Sequence, residues 1–445
     1  MLIVNNKELL DVIKPRYTVQ DIQEISGFLQ GKGTFLFPAL ENGLFPAAIV
    51  GNGTEYTGYA NVWVRDNIYV AYAHWILGKV DLAGKNVNSL MAYFKKHRRR
   101  FEEIIEFKVD PQNPLNRPHI RFNGQDLEEI DQKWPHAQND ALGYFLWFYC
   151  ELATQDILQP QPEDMSMLAS FAFYFQAIRY WEDEDSGHWE ETRKIGASSI
   201  GVVTAGLKAL RQLVMKTPLA SYCKYKDKSV TVHGLDELIE KGMTALEGIL
   251  PAECIQTDPA KRRRYDAALL FLIYPLRVVG EEMAHQILQD VINHLQGDYG
   301  IRRYLGDSYW APDYKKKLPP EERTVDFSED ISSRDSLLPK RGEEAQWCIF
   351  DPIISIIFGD KFQSTREGEY LDQQVKYLNR SLGQITGKDD GFSEFRCPEL
   401  YYLADGQYVP NDNVPLLWTQ ANLSIALKVM ERSVSQRGPK GNGWP

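Results

Sequence analysis

Gly187-His188-Trp189-Glu190-Glu191 is followed, a few residues on, by Ala197-Ser198-Ser199 and an apolar helical run to residue 216. A carboxylate set directly after a tryptophan and just before a helix has an apolar wall on one side. Such a carboxyl can be held protonated, which is how a general acid is made. Apolar residues return at i, i+3, i+4 and i+7 over approximately 18–30, 66–78, 86–107, 136–153, 162–181, 197–216, 233–250, 264–274, 279–296, 343–359, 363–386 and 413–432. Twelve helices with no linker rich in Gly, Pro or Ser between them predict an all-α chain: one closed toroid over 1–434, six inner helices inside six outer ones. In that arrangement the residues just before inner helices converge on one face. Trp63 to Asp66, Trp134 to Asp140, Glu190, Glu191 and Trp347 lie at or near helix starts, and Glu399 lies in the loop before the last helix.

Three segments depart from the helical pattern. Residues 33–50, Gly33-Thr34-Phe35-Leu36-Phe37-Pro38 with a turn at Glu41-Asn42-Gly43, predict a short β-hairpin near the N-terminus. The longest irregular stretch, 303–342, is a candidate binding loop or lid, above all over 310–342. Residues 435–445 predict a disordered polar tail.

Composition excludes several classes. Hydrophobic residues at 43% and charged residues at 25% provide for a large core. A net charge of −11 disfavours nucleic acid as a partner. Basic clusters at 95–100, 261–264 and 315–317 read as solvated faces or loops, and Glu182-Asp183-Glu184-Asp185 reads as a solvated loop. Without an apolar run of about 18 residues or a signal-peptide pattern, no membrane association is expected. Five cysteines, odd in number and without Cys-x-x-Cys spacing, fit a reducing, cytoplasmic compartment. The eight histidines show no metal-ligand spacing, and no dinucleotide, Walker or Gly-x-Ser-x-Gly motif occurs, so no metal or cofactor is expected.

Aromatic residues make up 12% of the chain, and several sit beside Arg, Asp or Glu, a mixture suited to sugar faces. Cleaving a glycosidic bond takes one protonated and one ionised carboxyl group. Glu190 and Glu399, the latter in Cys397-Pro398-Glu399-Leu400-Tyr401-Tyr402, have the best context among the acids, with helix capping or surface exposure as the alternative. In Trp63-Val64-Arg65-Asp66-Asn67 the adjacent cation and anion can clamp two sugar hydroxyls in opposite senses, or serve as an N-cap and a surface pair. Trp134-Pro135-His136-Ala137-Gln138-Asn139-Asp140, the stretch from Arg303 to Tyr309, and Glu344-Ala345-Gln346-Trp347 are further clusters of this kind.

Taken in order, these clusters resemble glycoside hydrolase family 15, the glucoamylase family, and more closely the glucoamylase-like domain of phosphorylase kinase α and β subunits, over roughly 55–432. The resemblance implies an (α/α)6 barrel, no cofactor, and inverting release of glucose from the ends of α-glucans or short gluco-oligosaccharides. It also implies Glu190 as general acid, Glu399 as general base and Glu191 as a substrate ligand. Tyr59, Trp63, Arg65 and Asp66 match the family stretch whose Arg-Asp pair holds the non-reducing-end glucose. Trp134 matches the Trp that supports the acid, and Arg303 and Trp347 match residues lining the next sugar position. Glu190 is then expected to have a raised pKa, from burial against Trp189 and Trp134 and from the charge of Glu191, while Arg65 and Asp66 stay ionised. The phosphorylase kinase branch implies an alternative, a glucan-sensing regulatory protein with weak or no catalysis. A trehalase or other α-glucosidase would share the acid and base.

Overall fold

The computed structural model describes residues 2–49 and 55–436. The first seven α-helices are α1 Val19–Gly31, α2 Val64–Ile76, α3 Val80–Lys96, α4 Arg99–Ile105, α5 Asn139–Thr154, α6 Pro162–Ile178 and α7 Ala197–Lys216. The rest are α8 Val232–Ile249, α9 Glu281–His294, α10 Tyr314–Lys317, α11 Ile331–Leu337, α12 Phe350–Thr365, α13 Gly368–Gly383 and α14 Leu417–Ser435.

Two kinds of helix follow from two kinds of sequence. Helices α2, α5, α7, α12 and α14 are apolar or small nearly all round and buried on almost every side. By contrast, α13 buries Leu371, Val375, Leu378 and Leu382, and α8 buries Leu235, Leu238, Gly242, Leu246 and Ile249, single stripes at helical spacing. The buried helices touch in a closed succession: α2 with α5, α5 with α7, α7 with the 3-10 helix Ala267–Leu272, that helix with α12, α12 with α14, and α14 with α2. Amphipathic helices lie against them, α3 on α2, α8 on α7, α9 on the 3-10 helix, α13 on α12, and α1 on α14. The closest pair, α5 and α7, meets through glycine: a Cβ on Gly143 would stand 2.9 Å from the Val202 backbone, and one on Gly206 would stand 2.8 Å from the Gly143 carbonyl.

Short strands steer the connections. β1 Val62–Trp63 pairs with β2 Arg121–Asn123, and β2 with β3 Glu128–Glu129. β4 Lys224–Tyr225 and β5 Lys228–Ser229 form a separate pair. β6 Gln346–Trp347 pairs with β7 Leu400–Ala404, and β7 with β8 Gln407–Pro410. The register sets Trp347 opposite Leu400, and Cys348 N–H donates to the Glu399 carbonyl at 2.9 Å, so Trp347 and Glu399 are neighbours.

Several expectations are corrected. The hairpin expected at 33–50 does not form over its described part. A turn closes there, with Leu40 N–H on the Leu44 carbonyl at 2.8 Å, but Pro38 and Pro46 lack donors, and Ala47 and Ala48 bond to Asn61 and Tyr59 instead. Hairpins form elsewhere, among them β7–β8, turning at Asp405-Gly406 with φ of +51° and +78°. The helix expected over 86–107 is two, α3 and α4, divided at His97-Arg98. That expected over 343–359 begins at Phe350, because 346–347 is β6, and 264–274 holds a 3-10 helix. The irregular segment contains α10 and α11. At the tail, α14 extends through Ser435, and 437–445 lie outside the described residues.

Two charge runs were misjudged as solvated. Arg263 is buried, and Asp183 and Asp185 are buried too, Asp183 held by both guanidinium nitrogens of Arg117 at 2.6 and 2.8 Å and Asp185 by the N–H of Asn139 at 2.8 Å. Among the described residues no helix is long and apolar enough to cross a membrane, and no three His, Cys, Asp or Glu side chains are grouped to hold a metal.

Candidate active site

The segments that lead into α2, α5 and α7, together with the β6–β7 pair, open onto one cavity of about 560 Å³. Tyr59, Trp63, Arg65, Asp66, Trp134, Glu190, Glu191, Arg303, Trp347 and Glu399 all line it. Sequence separations of hundreds of residues are closed by the ring of helices.

Glu190 ends the 3-10 turn Gly187–Trp189 and has φ of +59°, the left-handed region that costs a non-glycine residue about 1–2 kcal/mol. One carboxylate oxygen receives the Trp63 indole N–H at 2.9 Å and the Arg65 guanidinium at 3.2 Å. Arg65 also donates to Asp140 at 2.9 Å and Gln138 at 3.1 Å. Asp140, Glu190 and Asp66 keep the guanidinium charged in spite of its burial. Glu190 therefore meets a cation and an indole N–H on this oxygen. Trp189 turns its own N–H to Asp266 at 2.9 Å. Trp134 acts at one remove, edge-on to Trp63 with centroids 6.0 Å apart and with the Arg121 guanidinium 4.0 Å over its ring.

Glu399 stands immediately before β7 and is held by neutral donors. Tyr59 donates to one oxygen at 2.9 Å; Asn413, at 2.7 Å, and Asn411 donate to the other. Burial raises its carboxyl above the usual range, outweighing those hydrogen bonds and the charge of Arg303. Burial likewise pushes Asp66 up to about 7, with Arg65 opposing, so the expectation that Asp66 stays ionised fails around neutral pH.

Glu191 is enclosed by cations. It takes Lys194 at 3.1 Å and Arg263 on one oxygen and the Tyr304 hydroxyl on the other. Burial alone would raise this carboxyl, yet Arg263, Lys194, Arg303 and Tyr304 hold it well below the usual range. Arg303 forms a two-pronged pair with Asp307 at 2.6 and 2.7 Å and lies 4.8 Å from the Trp347 ring centroid.

Other lining residues were given no role of their own from the sequence. Trp418 stacks on Tyr69 at 4.6 Å and carries the same signal as the others, an aromatic at a helix start. Tyr309 stacks on Trp347 at 5.9 Å. Asn411 and Asn413 flank Asp412 just after β8, and only their spatial partner Glu399 reveals their use. Residues 324–329 of the irregular segment form a further wall, fastened by Thr192 N–H to the Ser328 hydroxyl at 2.7 Å.

Comparison with known proteins adds to this geometry. Residues 32–305 match the family model described as Glycosyl hydrolases family 15. A probable phosphorylase b kinase regulatory subunit alpha of Caenorhabditis elegans is 24% identical over 413 residues, 84% of this chain and 31% of that protein. The chain thus spans about a third of the length of the curated relatives it matches. A glycosidase variant solved in complex with glucose superposes with a TM-score of 0.61 at 14% identity, covering 95% of this chain and 98% of that one. A bacterial glucoamylase complexed with acarbose gives 0.57 at 15% identity, covering 88% and 53%. At such identities the solved structures speak for the fold alone.

Proposed function

The chain belongs to glycosyl hydrolases family 15, and from that premise we propose that its cavity receives the non-reducing end of an α-glucan or short gluco-oligosaccharide as a glucan-sensing site of the regulatory kind. The closed succession of inner helices is read as an (α/α)6 toroid, one domain over 1–434. Five buried, unpaired cysteines suit a reducing cytoplasm. One observation carries the reading: a single cavity gathers stacking rings, donors and acceptors from segments far apart in the chain. A sugar hydroxyl both donates and accepts, so Arg65 and Asp66 can clamp two hydroxyls of one ring in opposite senses, with Trp63 beside it and Trp347 at the next sugar position. The sensing mode is supported by the regulatory-subunit relatives and by Glu190, whose near oxygen already has two donors.

A second reading, inverting hydrolysis, is favoured by the presence of both Glu190 and Glu399 in the lining. Arg65 would release Glu190 to grip the sugar. Glu190 would then protonate the glycosidic oxygen as Glu399 takes a proton from a water attacking the anomeric carbon on the opposite face. Inversion requires carboxyl groups roughly 6.5–9.5 Å apart, and the first-formed glucose would be the β-anomer. A trehalase or another α-glucosidase would use the same pair and differ in the sugar accepted.

One experiment separates these. The purified chain is titrated calorimetrically with maltose, maltooligosaccharides, isomaltose and trehalose, and glucose is assayed in the same samples. Binding without glucose is the expected result. Glucose release replaces sensing by hydrolysis, with the productive sugar naming the linkage, and absence of both sinks the sugar site.

A further inference from the structure

Glu190 occupies a backbone conformation that persists only when its surroundings over-determine it. Both of its sequence neighbours are tied to one short segment, 263–266. On one side, the Trp189 indole N–H donates to Asp266 Oδ1 at 2.9 Å. On the other, Glu191 accepts from Arg263, whose guanidinium lies 3.3 Å from the Tyr304 ring centroid and 3.4 Å from Asp266 Oδ2. Asp266 is thus the meeting point: one oxygen anchors Trp189, the other faces Arg263. The segment is fixed in turn. Arg263 bridges Cys254 in antiparallel fashion, and Glu253 accepts from Ser198 N–H at 3.0 Å and Ser198 Oγ at 2.8 Å, at the start of α7. Ala267 N–H donates to the Arg303 carbonyl at 2.8 Å.

We propose that Asp266, with Arg263, is a positioning residue that braces the 189–191 turn from both sides and so aims the Glu190 carboxylate into the cavity. Glu191 serves in this brace as the anchor of the turn, with its oxygens turned to Lys194, Arg263 and Tyr304. The brace itself stands on contacts within the chain. Its effect on sugar rests on the proposed sugar site.

Hydrogen–deuterium exchange on the full chain tests it. Asp266→Ala and Trp189→Phe are each expected to speed exchange over 187–192 by about tenfold, the scale of one buried hydrogen bond lost. The double variant is expected to be no faster than Asp266→Ala alone, because that variant has already cut the indole link. Asp266→Asn, which keeps an oxygen for the indole N–H, is expected to fall between parent and Asp266→Ala. Protection in α1, which lies on α14 across the ring from α7, stays at the parent level. Additive acceleration in the double variant, or protection lost equally around the ring, overturns the proposal. Should Asp266→Ala fail to fold, Trp189→Phe decides, and unchanged exchange at 187–192 refutes the brace. Maltose titration of the same proteins is read separately. A parent chain that binds should lose about tenfold in Trp189→Phe, whereas a parent that binds nothing removes the sugar site and leaves the exchange result standing.

Discussion

The two carboxylates that face the cavity live in opposite surroundings. Glu190, with a side chain 17% exposed, meets a guanidinium and an indole; Glu399, 2% exposed, meets a phenol and two amides. A fixed cation accompanies the group that resemblance names as acid, and neutral donors with burial accompany the group it names as base. Arg65 links the difference to function, since the guanidinium that would grip a sugar is engaged with Glu190, Asp140 and Gln138. On the proposed reading, sugar entry is a competition for Arg65. On that reading, a chain in which Arg65 keeps Glu190 would bind without cutting, and one in which the sugar wins Arg65 would free the acid.

The sharpest way to break this comparison is to neutralise each carboxyl. In a chain that turns over maltooligosaccharide, Glu190→Gln and Glu399→Gln should each cut the rate by about 10²–10⁴ while calorimetric affinity holds. Turnover unchanged in either variant removes that carboxyl from the chemistry. Next in size is Arg65→Met, which leaves Asp140, fully buried, without its cation. Urea unfolding should show a loss of about 3–5 kcal/mol, as for other buried pairs broken on one side. A loss under about 1 kcal/mol would mean that Asp140 finds another partner.

The third prediction concerns pH. Asp66, 7% exposed, is pushed by burial to about 7 from an ordinary value of 3.8. Between those values the folded chain holds a proton that the unfolded chain has lost, so this group's contribution to stability falls as pH rises through that window. Asp66→Asn should remove the fall, and its stability relative to the parent should rise by on the order of 3 kcal/mol between pH 4 and pH 8. A pH-independent difference would place Asp66 at an ordinary pKa. The smallest effect is expected at the irregular segment. Lys315, 38% exposed, pairs with Asp412 between the two asparagines that hold Glu399. Lys315→Ala should cost about 0–1 kcal/mol in thermal unfolding, and a larger loss would make the segment a structural part of the Glu399 side.

The helices were legible as periodicity and most of the site clusters as aromatic and charged residues side by side, whereas Tyr59 and the role given to each of the ten residues came from the family resemblance. What was not legible lies in partners. Asp266 lies 77 residues from Trp189, and Arg263 lies 72 from Glu191, distances over which spacing says nothing. Arg263 was hidden in a basic run that otherwise looks solvated. The hairpin error is different in kind: the Asp405-Gly406 signal was present and strong, while Asn42-Gly43 drew attention to a turn without strands to join. The upward push of burial on the Asp66 carboxyl also escaped sequence, because burial is a property of the assembled ring.

That ring closes by packing α14 on α2, elements separated by more than three hundred residues. Contacts of such long range form late, after the loop entropy between them has been overcome. Trp418, at the start of α14, is also the ring that stacks on Tyr69 and lies 5.8 Å from the Arg65 guanidinium. During synthesis the Arg65 side of the cavity therefore waits for residues 417–435 before the Trp418 wall exists, so the proposed sugar site is completed only after the other helices of the ring have been made.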